Sequence, residues 1–113
     1  MKKYLCFILT ILSFSVFAQL RASNTDTFFS VKGTFNSEKT EIIKNTIEKE
    51  LATPTIENND FVWSGRGSFE IILNKNFLKI EIQKSNDNQE IVMKIKNLGE
   101  KIMAIKNINK VNS

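Results

Sequence analysis

Apolar residues recur at every second position over residues 27–36. Phe29, Val31, Gly33 and Phe35 share one face there, and Ser30, Lys32 and Thr34 the other. Period two predicts a half-buried strand. The period then changes. Ile43, Ile47 and Leu51 recur every four residues, Ile42 widens the stripe, and Lys39, Lys44, Glu48 and Lys49 fall outside it. This predicts an amphipathic helix of about four turns. Asn36 or Ser37 can cap it, with Glu38 and Glu41 where the helix dipole favours carboxylates, and Pro54 closes it. Residues 53–60 read as a polar connection.

The most regular alternation follows. Phe61, Trp63, Gly65, Gly67, Phe69, Ile71 and Leu73 hold every odd position, among Ser64, Arg66, Ser68 and Glu70. They read as one long strand. Leu78, Ile80 and Ile82 resume the pattern. A turn at Lys75-Asn76 sets Leu73 opposite Leu78, Ile71 opposite Ile80 and Phe69 opposite Ile82, all on one face. A slip of one residue would destroy that match.

Asp87 or Asn88 can cap a second helix, Asp87 having the capping-box spacing to Glu90, and Ile91, Ile95 and Leu98 form its stripe. Gly99 suits the position just past a helix end. Residues 101–107 then form a final strand. The alternative carries the helix through Ile102 and Ile105 to about Ile108. The expected fold is α+β, a ferredoxin-like βαββαβ sandwich with an antiparallel sheet and two helices on one face. The alternative is βαββα with a long C-terminal helix.

The N-terminal residues change the compartment. Lys2 and Lys3 precede an apolar run, Leu5 to Phe17, that ends in Val16-Phe17-Ala18. Basic, apolar and small residues in that order form a secretory signal. A bilayer-spanning helix needs roughly 20 apolar residues, and this run is shorter. Cys6 lies at the start of the run, whereas lipid-modified cysteines follow it. Residues 1–18 are therefore expected to be a cleaved signal, residues 19–26 a disordered leader, residues 27–107 one domain and residues 108–113 a tail. A cut after Ala22 is the alternative, with the poorer Leu20-Arg21 before it. The protein is expected in the periplasm or outside the cell, with no membrane insertion after cleavage.

Cleavage removes the only cysteine and the only tyrosine, and the chain has no histidine. Without Lys2 and Lys3 the balance is fourteen basic against twelve acidic residues, net +2. The remaining cations are scattered lysines with only Arg21 and Arg66 among them, not the arginine-rich stripe of a nucleic-acid binder. Ser-His-Asp and Cys-His catalysis and His- or Cys-ligated zinc are excluded from the mature chain. No cofactor is expected.

Over residues 29–105 the chain resembles the heavy-metal-associated, copper-chaperone-like family. The resemblance rests on Val31-Lys32-Gly33, on Ile43 and Ile47-Glu48-Lys49-Glu50-Leu51, on the hairpin from Phe69 to Ile82, and on Ile95-Lys96-Asn97-Leu98-Gly99. It implies the ferredoxin-like fold. The family's loop carries Gly-Met-x-Cys-x-x-Cys. Laid on from Gly33, the methionine position is Thr34 and the cysteine positions are Asn36 and Lys39, so both thiolate ligands are missing. Soft metals want sulfur, and Met93 and Met103 are the only sulfur donors after the signal. Core filling is the ordinary role of such methionines.

Four features remain. Glu70 and Glu81, opposite each other in the expected register, are the one candidate acid pair; Lys79 lies diagonally and makes them a solvated face. Gly65-Arg66-Gly67 suggests a phosphate loop, but no helix follows it. Trp63 lies on the core face, on a strand expected at the sheet edge, where a partner strand could add. Phe28, Val62, Ile72 and Phe77 fall on the opposite face, more apolar surface than solubility needs. The expectation is a non-enzymatic exported domain whose sheet face contacts an unknown protein partner or a second copy. The alternatives are a divergent metal-binding accessory protein using residues 34–39 and a small carboxylate enzyme.

Overall fold

A computed structural model of the chain describes residues 19–65 and 69–109. The expected signal, residues 66–68 and residues 110–113 lie outside the described residues. Among the described residues the fold is α+β, with six strands and two α-helices. The strands are β1 (Arg21–Asn24), β2 (Phe28–Thr34), β3 (Thr55–Glu57), β4 (Asp60–Gly65), β5 (Phe69–Leu73) and β6 (Phe77–Gln83). The helices are α1 (Thr40–Leu51), which follows β2, and α2 (Gln89–Met103), which follows β6. One antiparallel sheet runs in the order β1-β2-β6-β5-β4-β3.

The β5–β6 register is the expected one: Leu73 opposite Leu78, Ile71 opposite Ile80, Phe69 opposite Ile82. Its turn is held by Asn74, whose Oδ1 accepts from the Asn76 and Phe77 amides at 3.2 and 3.0 Å. The expected long strand is instead a hairpin. Phe61 pairs with Leu73, Trp63 with Ile71 and Gly65 with Phe69. Three residues separate β4 from β5, so odd positions face the core in both strands, and alternation alone does not reveal the hairpin.

The expected polar connection contains a further short strand. Asn58 and Asn59 take φ of 52° and 70° between β3 and β4. Two successive positive-φ residues are what a type I′ hairpin turn requires. The expected disordered leader is also ordered. Arg21–Asn24 pair along β2, with Ala22 opposite Val31 and Asn24 opposite Phe29.

The expected final strand is not formed; α2 continues to Met103. Ile95, Leu98 and Ile102 are fully buried, a helical stripe that runs past Gly99. Gly99 is therefore a packing residue and not a helix terminator. A Cβ there would lie 2.8 Å from the Phe29 ring and 3.1 Å from a Val31 methyl. Its absence lets α2 settle onto β2. After α2 the left-handed Asn107 (φ 63°) redirects the chain and Ile108 returns to the core, so the expected tail begins no earlier than residue 110.

The inward sheet positions join Ile43 and Ile47 of α1 and the stripe of α2 in one core. Helix α1 is tied at both ends. The Thr40 hydroxyl donates to the Lys75 carbonyl at 2.5 Å, and the Trp63 indole N–H donates to the Ala52 carbonyl at 2.9 Å. Pro54 lies just beyond, where continuing the helix would set its ring against the Glu50 carbonyl.

Gly99→Ala tests the close approach of α2. Alanine is the better helix former by about 1 kcal/mol, but overpacking a core costs about 1–3 kcal/mol. A net loss, read as a lower urea midpoint, is expected; a higher midpoint would show that Phe29 does not set the limit.

Candidate functional site

Even-numbered positions of β4, β5 and β2 and odd-numbered positions of β6 point away from both helices. Val62 sits directly opposite Ile72, and Ile72 opposite Lys79. Phe77, two residues before Lys79 on β6, is diagonal to Ile72 and opposite Thr34. These three apolar residues adjoin one another at one end of the outer face. Phe28 pairs with Gln83 at the other end. The four expected contact residues thus divide into a cluster of three and an isolated phenylalanine. All four are half-buried.

A charged row separates them. Glu70 and Glu81 lie opposite each other, and the Lys79 ammonium reaches both, at 3.3 and 3.2 Å. Hydrogen bonds to Glu81 and then Glu70 hold the Lys79 pKa above its ordinary value of 10.5, against a smaller opposing effect of desolvation. The two carboxylates therefore share a cation, as the diagonal lysine suggests. Glu50 differs: its pKa is lowered, first by the hydrogen bond from Lys101 and then by that ammonium's charge. The 3.0 Å contact joins the end of α1 to α2.

The positions that carry cysteines in the resembled family have other duties here. Asn36 is buried, its Oδ1 accepts the Glu38 amide at 3.1 Å, and its own amide donates to the Ile108 carbonyl at 2.7 Å. Asn36 thereby caps a single 3-10 turn, Ser37–Lys39, that leads into α1. Lys39 donates its amide to the Asn36 carbonyl at 2.8 Å, and Thr34 ends β2. Met93 is exposed on α2 and Met103 packs against the core. Among the described residues, no three His, Cys, Asp or Glu side chains stand where they could share a metal ion.

Trp63 is a core residue. Its strand, β4, is not at the edge, because β3 covers it; the sheet ends at β1 and β3. Gly65 lies in β4, where a Cβ would come within 2.6 Å of the Phe69 ring, so its role is packing. The outward alternation does not mark two further apolar residues. Ile56 of β3 is 68% exposed and Ile42 of α1 46%. The Lys44 ammonium stands 4.7 Å from the Phe61 ring centroid. Open grooves flank α2 among the described residues. One holds Glu50, Met93, Lys94 and Lys101; another holds Ala22, Phe29, Gly99 and Met103.

Among the described residues no helix is long and apolar enough to cross a membrane. Comparisons with protein families, curated proteins and solved structures find no match.

Lys79→Met should leave two facing carboxylates unrelieved. The pairs are partly exposed, so the expected loss is small, about 0.5–1 kcal/mol in chemical unfolding at neutral pH. A lysine with a raised folded pKa stabilises below its unfolded value, and that stabilisation fades as pH rises through the folded one. The gap between wild type and variant should therefore hold up to about pH 10.5 and narrow above it. A gap absent at neutral pH would remove Lys79 from this role.

Proposed function

We propose that the chain is a small exported, non-enzymatic domain that acts by binding protein through the outer face of its sheet. The contiguous Val62, Ile72 and Phe77 carry this reading, on a face that neither helix covers. Contact surfaces of this kind pair an apolar centre with a polar rim. Here the rim is Lys79 with Glu70 and Glu81, two carboxylates that share one ammonium and leave a single net negative charge. The occupant is a polypeptide surface, supplied by another exported protein or by a second copy of the chain.

In this reading the fold is a relative of the ferredoxin-like arrangement and of the heavy-metal-associated family, without the thiolate site. Strand β1 flanks β2 on the side where the last strand of that arrangement would lie. The work Asn36 does as a cap supports the loss of metal binding in the loop.

Ile72→Lys and Phe77→Lys should abolish self-association in sedimentation or capture of co-purifying proteins, with an unchanged circular dichroism spectrum. Phe28→Lys, beyond the charged row, should have little effect. Unchanged association in the first two variants overturns the proposal.

A further inference from the structure

The first described residues are built into the fold. Leu20 is 2% exposed and belongs to the core with Phe35 and Ile108. Its amide donates to the Asn109 side-chain oxygen at 3.1 Å. Gln19 bridges to Thr34. β1 then runs along β2, and Lys84 closes its far end, donating to the Asn24 side chain and to the Thr25 carbonyl.

Gly33 is independent support for this. It adopts φ +138°, and a Cβ there would overlap the Gln19 carbonyl and stand 3.0 Å from the Leu20 Cα. That backbone crosses β2 where only glycine leaves room. Glycine at this position suits a fold in which residues 19 and 20 are kept.

We infer that the precursor is cut between Ala18 and Gln19, and that residues 19–24 are a permanent structural strap. The inference rests on the export reading. A cut after Ala22 would discard the buried Leu20 from the core and remove half of β1. The small-residue rule agrees with the geometry: Val16 and Ala18 suit a signal peptidase better than Leu20 and Ala22. The cut also places a glutamine at the new N-terminus. Its α-amine can attack its own side-chain amide carbon, forming the ring C–N bond, breaking the Cδ–NH2 bond and releasing ammonia.

The test is to express the full precursor in a bacterial host and determine the N-terminus and intact mass of the exported product. A chain that begins at Gln19, free or cyclised with loss of one ammonia, is expected. A product that begins at Ser23 overturns the site and leaves export standing. A chain that keeps Met1 and stays inside the cell overturns both. Leu20→Ala and Gly33→Ala precursors should yield product with the same N-terminus and a lower urea midpoint. An unchanged midpoint in both would overturn the strap.

Discussion

Everything in this molecule rests on the lateral register of its inward-facing side chains. Three rows cross the sheet. Val31, Ile80, Ile71 and Trp63 make the central one, Phe29, Ile82, Phe69 and Gly65 the second, and Gly33, Leu78, Leu73 and Phe61 the third. The helices cover these rows and add the rest of the core. A shift of one residue in any strand would exchange its core side chains for its outer ones. The domain has no disulfide to correct such an error, so alternation over successive strands must specify the pairing alone. Glycines stand where the rows meet other backbone or ring atoms. Gly65 yields to Phe69, Gly33 to the crossing N-terminal segment and Gly99 to Phe29.

Parts of this were readable in the residues because burial wrote a pattern into them. β2, α1, the β5–β6 register and the start of α2 follow from periodicity. The missing parts failed for specific reasons. β1 and β3 are exposed at every position, so no apolar alternation marks them. The Asn58-Asn59 pair was the available signal for the β3–β4 turn. The β4–β5 turn preserves parity, so its strands read as one. Gly99 was ambiguous because a helix terminator and a close-packing site both favour glycine, and only the position of Phe29 separates them.

The outer face was legible to the same degree. Parity placed Val62, Ile72 and Phe77 on it, and the diagonal position of Lys79 explained the facing glutamates. The separation of Phe28 from the other three depends on strand order. The duty of Asn36 depends on residues 72 positions later in the chain, since its amide meets Ile108. No local pattern carries contacts of that kind.

The clasp between the two ends has a temporal consequence. Leu20 and Asn109 are 89 residues apart, and their bond closes one end of the core together with Ile108. A chain synthesised from its N-terminus presents all six strands before these closing residues are made. The last contacts to form are thus the last to be made available. That end of the core therefore stays open until almost the whole chain has been made.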